Sequence, residues 1–241
     1  MTARTNALGQ PIGAALDDWK SRESPGPEPI QGRSCRLERV DPDRHAASLF
    51  EAVARDAAGR MWTYLPYGPF ASLDAYDRWL RADCAGEDPL FFSIVEQSTQ
   101  RALGLASFLR IDPEVGAIEV GHIQYSPALQ HTTAATEAMF LMMRRVFREL
   151  GYRRYEWKCD ALNAPSRRAA LRLGFHFEGI FRQATIYKGR NRDTAWFSIL
   201  DSEWPALETA FLAWLDPANF EPDGRQRRSL GASLARDSRQ S

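Results

Sequence analysis

Two junctions between a strand and a helix carry the residues whose types and spacing suit chemistry. The first joins a strand that ends at Ser126-Pro127 to a helix that begins near Ala134, and small residues fill the connection. Backbone amides exposed at such a helix start, aided by the helix dipole, form a natural binding site for a pyrophosphate. An ordinary helix start capped by Thr132 or Thr133 explains the same residues, so this junction alone leaves both interpretations open.

The second junction follows a strand that ends at Asp160. Asn163 can cap the next helix, and Pro165 fits in a first turn that lacks intrahelical hydrogen bonds. The helix closes with Leu-Arg-Leu-Gly-Phe at 171–175, and Phe-Glu-Gly follows at 177–179. Capping explains Asn163 and Pro165, but it does not explain the residues that follow the helix.

Several classes of function lack their sequence motifs here. The chain has no Walker loop, no G-x-G-x-x-G after a strand, no H-E-x-x-H and no G-x-S-x-G. Its four histidines show no metal-ligand spacing, so we expect no metal site, and three widely spaced cysteines favour a reducing cytoplasm. Basic and acidic residues balance at 31 each, and no apolar run is long enough to cross a bilayer. We therefore expect neither nucleic acid nor a membrane as a partner.

The periodicity of apolar residues predicts an α+β fold around one mixed sheet. Strands are predicted over 36–40, 90–96, 102–111, 118–125, 152–160, 177–188 and 194–201, and helices over 42–54, after Ser72 or Asp74, from about Ala134 to Gly151, over 165–173 and over 204–215. The ends differ in composition. Alternating prolines at 24–29 predict an extended leader over 1–32, and an Arg- and Ser-rich segment predicts a disordered tail over 218–241. One domain is expected over 33–217.

Together, the two junctions resemble those of the GNAT N-acetyltransferases. The shared pattern is a strand, a Q-x-x-T-x-A loop that starts at Gln130, a helix, a strand, an N-x-x-S helix start at Asn163 and the run L-G-F-x-x-E-G over 173–179. Within that superfamily the chain is similar to the RimJ/RimL branch, whose best-known members acetylate N-termini of ribosomal proteins. The resemblance runs from Arg33 to Trp204. It implies acetyl-CoA as cosubstrate and a three-layer fold, in which helices cover both faces of a mostly antiparallel sheet and two parallel strands splay apart.

The resemblance also assigns residues to the cosubstrate. The splayed strands would be those over 118–125 and 152–160, with the pantetheine arm along Ile123 to Tyr125 and its thiol end near Asn163. The residues implied to bind the pyrophosphate are Gln130, Thr132, Thr133, Ala134, Ala135, Thr136 and Arg168. Thr133 stands where the family has glycine, and a β-branched residue disfavours positive φ and crowds an approaching phosphate.

Three residues are candidates for proton transfer. An alkyl amine has a pKa of about 10.4 and is mostly protonated at neutral pH, so its attack needs a base. Glu119, eleven residues before Gln130, matches the carboxylate base of the family, and strand alternation predicts that it shares a face with Tyr125 unless a bulge intervenes. His122 is the alternative base if a bulge turns it inward. Ser166 matches the hydroxyl that protonates the leaving thiolate in the RimL-like branch.

Other classes of function stay open from the sequence alone. A module that binds coenzyme A and regulates without transferring acetyl is favoured by Thr133, and an interaction protein would use the leader and the tail. The acceptor is a protein N-terminus or a small-molecule amine, and the sequence leaves a monomer and a homodimer open. Aromatic residues before the first hairpin are expected mostly in the core, with a few near the acceptor: Trp62, Tyr64, Tyr67, Phe70, Tyr76 and Trp79.

Overall fold

The computed structural model of the chain describes residues 4–231, and one large sheet organises them. The strands are β1 Arg4–Thr5, β2 Pro11–Ile12, β3 Ile30–Gln31, β4 Cys35–Arg39, β5 Leu90–Glu96, β6 Ala102–Asp112, β7 Ala117–Tyr125, β8 Arg154–Asp160, β9 His176–Tyr187 and β10 Arg190–Leu200. The helices are α1 Pro42–Ala54, α2 Leu73–Asp83, α3 Thr133–Arg144, α4 Ala164–Arg172 and α5 Trp204–Leu215. The predicted order of elements is confirmed from β4 to α5, whereas β1, β2 and β3 were not predicted.

The main sheet contains eight strands in the order β3-β4-β5-β6-β7-β8-β10-β9, and β1 and β2 form a separate two-stranded ribbon. Within the main sheet only β7 and β8 are parallel, and the other neighbouring pairs are antiparallel. This is the mixed, mostly antiparallel sheet that the sequence predicts. A parallel pair needs a crossover, and α3 supplies it between β7 and β8.

Helices cover both faces of the sheet, as predicted. One face packs against α1 and α2 through a cluster that includes Leu49, Leu80 and Leu105. The other face packs against α3, α4 and α5 in a larger core that includes Ala138 and Phe211. None of the helices in the described residues is long and apolar enough to span a membrane.

The helix ends follow local signals in the sequence. Ser72 caps α2 by accepting a hydrogen bond from the amide of Ala75, and Asn163 caps α4 in the same way. The helix predicted to reach Gly151 differs in one respect, because α3 ends at Arg144 and continues as a π turn to Glu149. Gly151 has a φ of 68°, the left-handed conformation expected after a helix end.

Residues on both sides of the predicted 33–217 domain pack into the same core. Ile30 lies in β3, pairs with Leu37 of β4 and is 2% exposed. Leu230 is fully buried in the larger core, and Phe220 packs against Trp214. The part of the predicted disordered tail over 232–241 lies outside the described residues.

The predicted boundaries at 33 and 217 can be tested by stability. Ile30→Ala and Leu230→Ala should each lower the free energy of unfolding by about 2–5 kcal/mol, because each substitution leaves a cavity in the core. Urea unfolding measures the loss. Leu8→Ala, at a side chain that is 82% exposed, is the control and should change little. If both core variants are as stable as the wild type, residues 33–217 form the whole folding unit.

Candidate active site

A cleft opens in the middle of the sheet where β7 and β8 separate. The two strands pair from Ala117 with Arg154 to Val120 with Trp157, and they form no further pair, although β7 continues to Tyr125 and β8 to Asp160. The cleft between their carboxyl ends has a volume of about 630 Å³. The splayed parallel strands expected from the sequence are therefore present.

A β-bulge in β7 decides which side chains face the cleft. Gly121 lies opposite Ser107 and Gln124 opposite Leu105, so two residues of β7, His122 and Ile123, face one residue of β6. The φ of His122 is 50°, and its side chain lines the cleft. The bulge thus turns His122 inward, the condition stated for the alternative base.

The expectation that Glu119 and Tyr125 share a strand face is wrong, because this bulge reverses the alternation between them. Glu119 lies opposite Leu109, on the face of the sheet that α1 and α2 cover. Tyr125 lies on the α3 face, where its hydroxyl donates to the carbonyl of Ala135 at 3.0 Å. Glu119 still lines the cleft.

Glu119 is a buried carboxylate held by two cations. Its Oε2 atom lies 2.8 Å from Nη1 of Arg110 and 2.8 Å from Nζ of Lys158, and the residue is 3% exposed. Burial raises the pKa of Glu119, and the two cations oppose that effect without cancelling it. The side chain is therefore a stronger base than an exposed glutamate.

Lys158 and Asp160 of β8 bring charges into the cleft that the sequence interpretation missed. The Lys158 ammonium lies 2.7 Å from Oε2 of Glu156 and 3.8 Å from the ring centroid of Trp196. Asp160 accepts a hydrogen bond from the Tyr187 hydroxyl at 2.7 Å. Charged residues at every second position of β8, at 154, 156, 158 and 160, were the available signal.

The opposite face of β8 leads to the start of α4. Trp157 Nε1 donates to Oγ of Ser166 at 3.0 Å, and Oδ1 of Asn163 accepts from the Ser166 amide at 3.1 Å. Burial raises the pKa of the Cys159 thiol, which favours a structural role for this cysteine over a nucleophilic one. The cleft thus passes through the sheet, with charged side chains on one face and a helix start on the other.

The loop before α3 has a compact cap. The Thr132 hydroxyl accepts from the Ala135 amide at 3.1 Å and donates to the Leu129 carbonyl at 2.7 Å. His131 carries the positive φ, 63°, whereas Thr133 is already the first residue of α3. The threonine that replaces the family's glycine is therefore not strained, because its backbone is helical.

The arginines of α4 differ in what they contact. Arg172 reaches the first turn of α3, where Nη1 donates to Oγ1 of Thr136 at 3.1 Å. The Arg172 guanidinium also lies 5.2 Å from the ring centroid of Trp214. Arg168 is exposed. Arg172, which the sequence interpretation did not select, is the arginine of α4 that contacts the α3 start.

A loop and a hairpin cover the charged mouth of the cleft. The tip of the β9–β10 hairpin is tied to the loop over 60–67, because Lys188 Nζ donates to the carbonyl of Trp62 at 2.8 Å. The Tyr64 hydroxyl donates to the carbonyl of Leu162 at 3.2 Å. Of the aromatic residues selected from the sequence, Tyr64 lines the cleft, while Trp62, Tyr76 and Trp79 are buried in the core.

Comparison with protein families decides the assignment. A family model described as an acetyltransferase (GNAT) domain matches residues 35–176. The chain belongs to the GNAT acetyltransferase family. Its mixed sheet, the α3 crossover and the cleft between the splayed strands are therefore those of an acetyltransferase.

Individual relatives agree with this GNAT assignment. A crystal structure of a GCN5-related N-acetyltransferase from Brucella melitensis is 46% identical and superposes with a TM-score of 0.89 over 91% of this chain and 100% of that one. An uncharacterized N-acetyltransferase, p20, from Bacillus licheniformis is 33% identical over 115 residues, 47% of this chain and 63% of its own length. The match to p20 thus spans just under two thirds of that relative.

A more distant neighbour shares the fold alone. RimL, a ribosomal L7/L12 alpha-N-protein acetyltransferase solved in complex with coenzyme A, is 20% identical with a TM-score of 0.58 over 72% of this chain and 98% of that one. At that identity the likeness extends to the arrangement of elements. The RimJ/RimL branch therefore stays a prediction.

The GNAT cleft brings together some of the predicted site residues. The predicted residues that line it are Glu119, His122, Ile123, Asn163 and Ser166. The others lie in the loop and the first turn of α3, on the α3 face of β7 or on the exposed side of α4: Tyr125, Gln130, Thr132, Thr133, Ala134, Ala135, Thr136 and Arg168. Their roles toward a ligand stay predictions.

His122 is a weak base in this environment. Burial lowers the pKa of His122 to about 4, and the charges of Arg110 and Arg192 add to the effect. Its Nδ1 lies 3.3 Å from the Tyr67 hydroxyl, and the two rings stack. Because the imidazole is neutral at pH 7 and binds a proton poorly, Glu119 is the better candidate base.

The titration of His122 can be followed directly by NMR. We expect its ring proton signals to change with a midpoint near pH 4, with His122→Asn used for assignment. Since the folded pKa lies below the unfolded value of about 6.5, the stability linked to His122 is present above pH 6.5 and falls as the pH drops toward 4. A midpoint near the ordinary value would show that the ring is solvated and would restore it as a base.

Proposed function

We propose that this GNAT acetyltransferase passes the acetyl group of acetyl-CoA directly to a primary amine, with the two substrates meeting in the cleft from opposite faces of the sheet. The observation that carries the proposal is the open seam between β7 and β8. One of its faces presents a helix start and the Ser166 hydroxyl, and the other presents the buried Glu119 carboxylate. The face with the helix start suits the cofactor, and the face with Glu119 suits the amine acceptor.

The residues on the α3 face fit coenzyme A. The first amides of an α-helix have no intrahelical partner, and Thr132 caps only that of Ala135, so those of Thr133 and Ala134 suit a pyrophosphate. Arg172 adds a positive charge beside Thr136. Acetyl-CoA supplies an activated thioester when it is bound, and the unpaired edge of β7 after residue 120 offers backbone groups for its pantetheine arm.

The residues on the other face fit proton transfer from an amine. Oε2 of Glu119 is taken by Arg110 and Lys158, whereas Oε1 has no hydrogen-bond donor among the described residues. We assign Oε1 as the atom that takes the amine proton, directly or through a water. Ser166 accepts from Trp157 Nε1, so its own proton can be given to the leaving thiolate. Starting from the protonated amine, two protons leave the nitrogen as the C–N bond forms. Glu119 takes one, and the other replaces, through water, the proton that Ser166 gives to the thiolate as the C–S bond breaks.

Within the superfamily we propose a place in the RimJ/RimL-like branch. The support is the pair of motifs, the loop that starts at Gln130 and the Asn163–Ser166 helix start, together with the shared fold of RimL. Thr133 was the argument for a regulator that binds coenzyme A without transferring acetyl. The backbone of Thr133 is helical, which removes that argument. The acceptor is a primary amine of a small molecule or of a protein N-terminus.

Acetyl-CoA should raise the Tm of the protein, and ATP and NAD should not. A ligand that binds only the folded state at 100 times its Kd stabilises by about 2.7 kcal/mol. Arg172→Gln should reduce the shift, because it removes the cation beside the α3 start, whereas Arg168→Gln should leave it unchanged. Equal shifts with all three nucleotides would contradict a dedicated site. If Arg168→Gln reduces the Tm shift and Arg172→Gln does not, the result would favour Arg168 as the phosphate ligand.

Glu119→Gln should lower kcat by on the order of a hundredfold, because it keeps the shape of the side chain and removes its basicity. The affinity for acetyl-CoA should not change. Wild-type activity should fall as the pH drops through the raised pKa of Glu119, since the protonated acid cannot accept a proton. The rate of the variant should keep rising with pH as solvent takes over the deprotonation.

Glu156→Gln is the matched control for this experiment. Glu156 also pairs with Lys158, but its side chain does not line the cleft. Its replacement should leave both kcat and the pH profile near those of the wild type. Equal losses in the two variants would mean that the ion pairs of Lys158, rather than the base, support turnover.

A further inference from the structure

One charged side chain in the cleft lacks a counterion among the described residues. The acidic and basic residues that line the cleft are Arg110, Glu119, His122, Lys158, Asp160 and Arg192. Glu119 pairs with Arg110 and Lys158, and Lys158 also pairs with Glu156. Asp160 accepts a hydrogen bond from Tyr187, and His122 is neutral at pH 7. Arg192 forms no ion pair and no hydrogen bond to the part of the chain that the structure describes, and its Nε is buried without a hydrogen-bond partner. Its Cζ lies 5.9 Å from the ring centroid of Tyr187.

Arg192 lies on the acceptor face of the cleft. It alternates along β10 with Thr194 and Trp196, and Thr194 lies opposite Asp160 of β8. Trp196 is the ring that contacts the Lys158 ammonium, so these residues form the wall opposite the α3 start. Arg192 is close enough to His122 and Cys159 for its charge to affect both. Arg192 is half-buried and lines the cleft, away from the proposed site of the pyrophosphate.

An unpaired guanidinium with a buried Nε is costly unless a ligand completes it. Taking a charged donor out of water without a partner costs free energy, and arginine presents paired N–H groups that match a carboxylate in a bidentate geometry. The other two cations of the cleft already pair with carboxylates, and Asp160 is held by the Tyr187 hydroxyl, so the anion that pairs with Arg192 has to arrive with a substrate. Coenzyme A carries its phosphates toward the α3 start, which leaves the acceptor as the source.

We propose that Arg192 binds a carboxylate of the acceptor, so that the acceptor is a small amino carboxylate such as a free amino acid. This inference rests on the proposed transfer to an amine. Glu119 would take the proton of the amino group while Arg192 holds the carboxylate, and the two contacts orient the nitrogen. The loop over 60–67 and the hairpin tip, tied together by Lys188, cover this mouth and suit a small molecule better than a protein chain.

Matched pairs of acceptors test the proposal. Each free amino acid is compared with its carboxamide, which has nearly the same shape and no negative charge. The wild type should favour the acid by at least about tenfold in kcat/KM, in line with a charge-assisted pair. Arg192→Gln should bring the ratio close to one, mainly by raising the KM for the acid, while the KM values for the amide and for acetyl-CoA stay unchanged.

Control variants separate this role from a general effect of charge or folding. Arg182→Gln removes an exposed arginine of β9 that does not line the cleft, and it should keep the wild-type ratio. Arg192→Lys keeps the charge without the bidentate geometry and should retain part of the preference. Absence of a preference in the wild type, a preference that survives Arg192→Gln, or a rise only in the KM for acetyl-CoA would each overturn the proposal.

A binding measurement distinguishes this proposal from the proposed function. If acetyl-CoA binds but no amine is acetylated, amine transfer fails, and the Arg192 contact can still be examined by NMR. The Nε–H signal of Arg192, assigned with Arg192→Lys, should shift when a free amino acid is added and not when its amide is added. If neither the free amino acid nor its amide shifts the Arg192 signal when added in excess, the carboxylate site does not exist.

Discussion

The loss of pairing between β7 and β8 after Val120 and Trp157 is the constraint on which the rest of the site depends. An interrupted pair leaves backbone groups without partners, which is unfavourable in a sheet interior unless something else satisfies them. On its other side β8 remains fully paired with β10, so the strand itself is rigid. The sheet therefore contains a gap that a ligand can fill. The groups along the edge of the gap belong to the backbone and are less mobile than side chains.

Two bulges in the β6–β7 pair, on the β7 side of the gap, orient the side chains. In β6 the register shifts between Leu109 and Asp112, and Arg110 adopts a φ of 48° there. The carboxylate of Asp88 accepts from the amides of Arg110 and Ile111 at 2.9 and 3.0 Å, which holds the bulge in place. Arg110 consequently reaches across to Glu119. The second bulge, in β7, turns His122 into the cleft and sends Tyr125 to the opposite face.

The sequence by itself determined the elements and the family. Helices α1 and α5 lie where the periodicity predicts them, and caps at Ser72 and Asn163 could be recognised because their side chains satisfy amides only a few residues away. Such interactions are local, so spacing along the chain is sufficient to find them. The two junction motifs then pointed to Glu119, Asn163 and Ser166, and all three line the cleft.

Only the tertiary structure decided which charges meet. The pairing of Glu119 with Lys158 joins strands that are parallel neighbours only after α3 crosses over, and the contact from Arg172 to Thr136 joins two helices. Strict alternation placed Tyr125 beside Glu119, and one inserted residue in β7 reversed that placement. A bulge depends on how two strands fit together, and a buried charge is stable only beside its partner. Neither property can be read from one segment alone, because each belongs to a contact between distant parts of the chain.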